Sequence, residues 1–133
     1  MAETTAFELV SPERLLVSKD VEMVVVPGAE GYFGVLPRHA PMISTLNAGV
    51  IDIHQGGQVE ERIFIAGGFA EVTEDRCTVL AEEAVPVGEI DPAGVNQEIA
   101  KLSDELNDSA GGPETARLSQ RIQMLEAKAA AAA

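Results

Sequence analysis

The sequence contains no tryptophan, one tyrosine, one cysteine, and only 9 lysines and arginines against 22 aspartates and glutamates. Binding to nucleic acid depends on clustered cations, so a formal charge of −13 excludes that class of partner and argues against direct docking on anionic lipid. The single Cys77 cannot form an internal disulfide, and it reads as a buried strand residue. His39 and His54 lack metal-ligand spacing to each other or to Cys77, so we expect no metal and no cofactor.

Long hydrophobic runs are also missing. No apolar stretch reaches the roughly 18 residues that span a bilayer, and the acidic start MAETTAFE is unlike a signal peptide. We therefore expect a soluble, cytoplasmic protein that meets a membrane only through a partner. What the sequence does contain is 46% hydrophobic residues, most of them Val, Ile, Leu and Ala, which is ample for a sheet core.

Short β-branched runs, each closed by Gly, Pro or Asp, follow one another from residue 4 to about 81. In the run 50–54, Ile51 and Ile53 share one face and Asp52 and His54 the other, and the next four residues, QGGQ, form a hairpin turn signal. This spacing predicts a β-sandwich or flattened barrel. The predicted strands are residues 6–10, 14–18, 21–26, 32–36, 50–54, 59–65, 69–72 and 76–81.

Composition changes after Ala81, where the stretch EEAVPVGEIDPAG reads as a linker and helix formers then dominate. Asp91-Pro92 is a helix start signal, and Pro113 begins a second helix. We divide the chain into a β domain, residues 1–85, and a linker with a two-helix arm, residues 86–133. The helices carry one apolar stripe, formed by Val95, Ile99, Leu102, Leu106, Leu118, Ile122 and Leu125. Two such short helices need a surface to lie on, either the β domain or a partner, which makes the arm a candidate switch.

The segment GAEGYFGVLPRHAP, residues 28–41, is the most unusual in the chain. It is no phosphate loop, because Leu36-Pro37 stands where a helix would have to begin, and no nucleophile elbow of the Gly-x-Ser-x-Gly type occurs. As a turn between strands, it uses Gly28 and Gly31 for unusual backbone angles. That structural reading leaves the exposed Tyr32 and the Arg38-His39 pair unexplained.

Adjacent carboxylates offer a further test for catalysis. Glu60-Glu61 and Glu82-Glu83 resemble acid and base pairs, but neighbours on a strand point to opposite faces, so we expect neither pair to converge. Solvated surface charge is the expected role of both pairs.

Two motifs in fixed order resemble the epsilon-subunit family of the bacterial rotary ATP synthase. They are VPG at 26–28 with Gly31 and GVLPRHAP at 34–41, then GGFAEV at 67–72, and a helical hairpin follows them. The resemblance implies a β-sandwich that binds the gamma subunit and the membrane c-ring without catalysing a reaction. It places Ser11, Arg38, His39 and Ser44 towards gamma, and Glu30, Gly31 and Tyr32 towards the ring. Tyr32 stands where the family usually has a glutamate.

The resemblance also implies that the arm can extend into the alpha/beta catalytic head and block ATP hydrolysis. The arm has only four cations against eight carboxylates, and its net charge of −4 suits this poorly, so inhibition stays an open hypothesis. Relatives that bind ATP use Ile/Leu-Asp-x-x-Arg-Ala, whereas Gly94 replaces the arginine here, so we expect no nucleotide site.

The resemblance places the chain at the cytoplasmic face of the inner membrane as a peripheral subunit. Two other readings stay open on the residues alone. One is a generic β-sandwich adaptor whose helical tail recruits another protein. The other is an enzyme that uses His39.

Overall fold

The computed structural model describes residues 3–109 and 111–132, which form ten strands followed by two helices. This confirms the predicted sandwich and terminal helical hairpin. The strands are β1 (Thr5–Val10), β2 (Leu15–Val21), β3 (Met23–Gly28), β4 (Gly31–Val35), β5 (Met42–Leu46), β6 (Gly49–Gln55), β7 (Gln58–Ile65), β8 (Gly68–Val72), β9 (Arg76–Ala81) and β10 (Ala84–Pro86). A 3₁₀ turn (Val87–Glu89) precedes α1 (Pro92–Asp108) and α2 (Pro113–Ala132).

The strands form one strongly folded sheet in the order β10-β7-β6-β3-β5-β8-β9-β1-β2, with β4 paired to the other side of β3. All pairs are antiparallel except β1 with β9, which run parallel. The strands thus wrap around a core of mostly aliphatic side chains, and the aromatic residues Phe7 and Phe64 are fully buried as well. A core of β-branched residues suits this sheet because such side chains pack well on a pleated surface.

Local patterns behave as predicted in most of the β domain. In β6, Ile51 and Ile53 are buried while Asp52 and His54 are half-buried on the other face. The turn after β6 has φ of +62° at Gly56 and +78° at Gly57, the two positive angles that the tightest hairpin turn requires.

Two strands were missed. The strand β5 follows Pro41 and was absent from the prediction, although it pairs with β8 along its whole length. The predicted linker contains β10, whose three residues pair with Ile63, Phe64 and Ile65 of β7. Both segments are short and lie next to prolines, so their pairing depends on partners distant in the sequence.

The helical arm is a compact unit of its own, since the chain divides into Met1–Val87 and Gly88–Ala133. Asp91 has the extended backbone of an N-cap and Pro92 begins α1, but the Asp91 side chain makes no capping hydrogen bond. At the end of α1, the Ser109 hydroxyl donates to the carbonyl oxygen of Leu106 at 2.9 Å and lies 2.6 Å from the Thr115 hydroxyl. Gly111 and Gly112 then take positive φ, and the predicted break between the helices includes Ala110, which lies outside the described residues.

Within the described residues of α1 and α2, neither helix combines the length and the apolar character needed to cross a bilayer. The helices pack against each other, and Arg121 of α2 bridges Glu98 of α1 at 3.4 Å. Of the seven stripe residues, Val95 and Leu125 are buried and the other five are half-buried.

Candidate docking surface

The strands β3 and β4 form a hairpin whose two-residue tip is Ala29-Glu30. Backbone hydrogen bonds tie the tip to the end of β5: the Ala29 N–H donates to the Thr45 carbonyl at 2.9 Å, and the Asn47 N–H donates to the Pro27 carbonyl at 2.8 Å. Glu30, Gly31 and Tyr32 are all exposed there. The tip is therefore a firmly held projection with polar and aromatic groups on its surface.

The two glycines flanking the tip act differently, which corrects the sequence interpretation. Gly31 has φ of +134°, as predicted, but Gly28 is not among the described residues with positive φ. A Cβ on Gly28 would lie 2.7 Å from the Gly31 carbonyl oxygen and 2.8 Å from the Phe33 ring. Gly28 is thus required by close packing and not by backbone angle.

Tyr32 is 60% exposed, yet its hydroxyl is fixed. The Tyr32 Oη accepts a hydrogen bond from the Val50 N–H at 3.2 Å, so the side chain reaches from β4 to the start of β6. With the hydroxyl engaged by the protein's own backbone, the surface left for a partner is mainly the ring.

The segment after β4 is a tight turn, with the His39 N–H donating to the Leu36 carbonyl at 3.1 Å. Pro37 occupies the second position and Arg38 the third, where its φ is +66°. Arg38 is the only described non-glycine residue with positive φ, an uncommon state that typically marks strain or function. The Arg38 guanidinium contacts the Glu3 carboxylate at 2.8 Å in an exposed ion pair, and the backbone N–H of Arg38 donates to the Glu74 carbonyl.

His39 is half-buried beside this turn. Its Nδ1 donates to the Ala40 carbonyl at 2.7 Å, and its ring centroid lies 6.5 Å from that of Phe33 at a tilt of 40°. Histidine in this position fixes the loop. Within the described part of the chain, no group of three or more His, Cys, Asp or Glu side chains could hold a metal ion.

The sequence-predicted gamma-facing residues do not form one cluster. Ser11 follows β1, and its hydroxyl donates to the Arg14 carbonyl at 3.3 Å. Ser44 is half-buried and pairs with Ala70, so it lies on the core side of β5, while the neighbouring Ile43 and Thr45 face outwards. Ser11 and Arg38 therefore border opposite ends of the region formed by β8, β9 and β1. Ser44 lies on the neighbouring strand β5, with its side chain on the core side of the sheet.

An exposed apolar row crosses the outside of that region, and sequence reasoning missed it. Strand register places Thr45 opposite Phe69, Phe69 opposite Leu80, Leu80 opposite Val10, and Val10 opposite Leu15. We call Val10, Leu15, Phe69 and Leu80 the outer apolar row. Phe69, Leu80 and Leu15 are each more than half exposed, and Ile43 beside them is 73% exposed. A shallow, mainly apolar pocket of about 290 Å³ lies where the row meets Ser11 and Pro12.

The prediction that Glu60 and Glu61 point apart is wrong. Lys19 Nζ lies 2.6 Å from Glu60 Oε1 and 2.7 Å from Glu61 Oε1. The pairing of β6 with β7 shifts register between Ile53 and His54, which leaves Glu60 as an extra bulged residue. A bulge breaks the alternation of side chains, so both carboxylates reach one cation. The hydrogen bonds to Glu60 and Glu61 raise the pKa of Lys19 above its ordinary value.

Cys77 is fully buried, as predicted, and burial raises the pKa of its thiol to about 12. A thiol with such a pKa is not a nucleophile at neutral pH. In the arm, a Cβ on Gly94 would lie only 2.7 Å from Asp91 Oδ2, so the Asp91 carboxylate covers the position from which an arginine side chain would extend.

These features define a class of protein: a β-sandwich with an exposed apolar row and a fixed hairpin tip, followed in the chain by a helical arm. The family described as ATP synthase, Delta/Epsilon chain, beta-sandwich domain matches residues 4–87. The chain belongs to this family, which confirms the predicted resemblance and rules out both the His39 enzyme and the unrelated adaptor.

Curated relatives extend the match to the whole chain. The ATP synthase epsilon chain of Rhodospirillum rubrum is 54% identical over 131 residues, covering 98% of each chain, and that of Paramagnetospirillum magneticum is 53% identical over the full length of both. A chain in a Euglena gracilis mitochondrial ATP synthase structure (OSCP/F1/c-ring) shares the fold, with a TM-score of 0.81 at 23% identity, covering 96% of this chain and 81% of that one. A chain from the central stalk/c-ring of the Tetrahymena thermophila enzyme gives 0.64 at 11% identity, with 98% of each chain covered.

Proposed function

We propose that this protein is a rotor subunit of the proton-translocating ATP synthase, which joins the gamma subunit to the membrane c-ring. Full-length identity above 50% to chains named ATP synthase epsilon chain supports this, as does the fold shared with chains from F1/c-ring and central-stalk structures. The chain would then lie at the cytoplasmic face of the inner membrane, held there by its protein partners.

The outer apolar row carries the proposal. Scattered single apolar residues are normal on a protein surface, but a continuous row across four strands, with Ile43 beside it, marks a binding surface. Gamma would cover this row, with Ser11 at one end and Arg38 and His39 at the other. On β5, the outward Ile43 and Thr45 would make the contacts, and Ser44 would support them from behind.

The hairpin tip would meet the c-ring. Glu30, Gly31 and Tyr32 project together, and the backbone bonds to Thr45 and Asn47 keep the tip in place. A rigid projection suits a joint that carries torque, because contacts made by preordered groups lose less entropy on binding.

The gamma contact is tested by measuring the affinity of the full chain for purified gamma. Completely burying a Phe or Leu stabilises by about 1.5 to 3 kcal/mol. Because Phe69 and Leu80 are already almost half buried, each should contribute about 1 kcal/mol on binding, or roughly five-fold in affinity. We expect Phe69→Ser with Leu80→Ser to weaken binding roughly thirty-fold.

Val59→Ser is the matched control, since Val59 is an exposed apolar residue on β7, outside the row. It should leave gamma binding unchanged. Equal binding by the control and by the double variant, both folded, would refute docking on the row.

Inhibition of ATP hydrolysis by the arm is a separate hypothesis. In its favour, only Val95 and Leu125 of the apolar stripe are buried, which leaves five half-buried side chains able to contact the alpha/beta head. Against it, the arm has a net charge of −4, which opposes binding to acidic surfaces. Deleting residues 89–133 in the assembled enzyme tests the hypothesis: faster ATP hydrolysis supports inhibition by the arm, and an unchanged rate refutes it.

A further inference from the structure

The aromatic face of Tyr32 is held in position before any partner arrives. Its hydroxyl accepts the Val50 N–H, and a Cβ on Gly49 would lie 2.5 Å from that hydroxyl, so the side chain can reach β6 only because residue 49 is glycine. A ring that is tethered and still 60% exposed presents its carbon face to solvent in a defined orientation. Such preorganisation lowers the entropy lost when a partner binds.

The charge of the hairpin tip is negative. Glu30 is an exposed carboxylate in the hairpin tip, two residues before Tyr32. Between residues 20 and 60 the only lysine or arginine is Arg38, which lies beyond the opposite end of β4 and is already paired with Glu3. No cation of the hairpin tip itself therefore competes for the ring face or for Glu30.

We propose that Tyr32 binds a guanidinium group of the ring partner through a cation–π contact, and that the exposed Glu30 carboxylate of the same hairpin tip adds attraction for the cation. The face of an aromatic ring attracts cations through its quadrupole. A guanidinium fits better than an ammonium because it is planar, stacks on aromatic faces and is more weakly hydrated. This inference rests on the proposed function, since it assigns the chemistry of the contact between the tip and the ring.

The test uses the full-length chain and a rotor made of gamma and the c-ring, with affinities for gamma alone and for the rotor measured side by side. We expect Tyr32→Leu to weaken rotor binding by about five- to thirty-fold and to leave binding to gamma alone unchanged. Tyr32→Phe keeps the ring face but loses the hydroxyl tether, so it should lose only about two- to three-fold in affinity, clearly less than Tyr32→Leu. Tyr32→Glu should bind with a steeper dependence on salt, because it substitutes an exposed ionic contact.

A direct readout is available because Tyr32 is the only tyrosine. A chain labelled with 3-fluorotyrosine has one fluorine resonance, which should shift when the rotor binds. The shift should be lost when arginines on the exposed surface of the ring protein are changed to glutamine.

Three results would overturn the inference while the unmodified chain still binds the rotor. They are Tyr32→Leu binding as tightly as the unmodified chain, Tyr32→Phe losing as much affinity as Tyr32→Leu, and a fluorine shift that persists without ring arginines. Failure of the unmodified chain to gain affinity from the ring would instead refute the proposed function itself.

Discussion

The contact of Lys19 with Glu60 and Glu61 yields a quantitative prediction. Lys19→Met removes the cation and leaves two neighbouring carboxylates facing each other. The three side chains are between 31% and 48% exposed, so each pair is worth the small energy of a surface ion pair, about 0.2 to 1 kcal/mol. With two pairs lost and a repulsion gained, we expect a loss of about 1 kcal/mol, which lowers the Tm of a domain of this size by roughly 4 to 8 °C.

Thermal unfolding of the full chain at pH 7, followed by circular dichroism, measures this effect. Arg62→Met is the matched control, because Arg62 forms a single exposed pair with Asp52 at 3.0 Å. Its cost should be at most half as large. If Lys19→Met were no more destabilising than Arg62→Met, convergence of the two carboxylates on Lys19 would contribute nothing special.

The same contact has a definite pH dependence. The pKa of Lys19 is raised by its hydrogen bonds to Glu60 and Glu61, so the stabilisation is fully present below the ordinary lysine pKa of 10.5. It is lost as the pH rises through the raised folded-state pKa. The stability difference between the unmodified chain and Lys19→Met should stay constant from about pH 7 to 9 and shrink only in strong alkali. A difference that already faded by pH 9 would contradict this assignment.

Three further predictions concern other positions. Gly68 has a φ of +148°, and a Cβ on it would overlap the Leu80 carbonyl oxygen. Urea unfolding should therefore show that Gly68→Ala lowers the free energy of unfolding by about 3 kcal/mol, whereas Gly56→Ala, whose Cβ would meet open space, lowers it by about 1 kcal/mol. Equal losses in the two variants would contradict the close packing at Gly68. Cys77 should resist thiol reagents at pH 8 until the chain unfolds, and rapid labelling of the native protein would show that it is accessible. Calorimetric titration of the full chain with ATP should give no micromolar binding, because Gly94 supplies no guanidinium, and a micromolar Kd would prove the site exists.

The sequence predicted the features whose signal is local. The alternation of Ile51 and Ile53 with polar neighbours follows from the two-residue period of one strand, and the two glycines of the β6–β7 turn are a signal of the turn itself. For the same reason β9 was predicted with its observed bounds, Arg76–Ala81.

Features that depend on pairing between distant segments were missed. The outer apolar row exists because register aligns Phe69, Leu80 and Val10, which are far apart in sequence and look like isolated exposed residues. The convergence of Glu60 and Glu61 depends on a bulge that appears only when β7 meets β6. The hydrogen bond of the Tyr32 hydroxyl requires the Val50 N–H of β6, which only the folded sheet brings next to β4. Single-sequence periodicity contains none of this information.

The position of β1 has a consequence for how the chain folds. The first strand lies between β2 and β9, so its second edge stays unpaired until residues 76–81 have been synthesised. Early hairpins such as β3–β4 and β6–β7 can form from near neighbours, but the sandwich cannot close around its core before β9 arrives. Closing a loop of that length is slow compared with forming a hairpin, so pairing of the first strand with β9 should be a late step of folding. During translation, the exposed edge of β1 is then the part of the nascent domain most in need of protection from other chains.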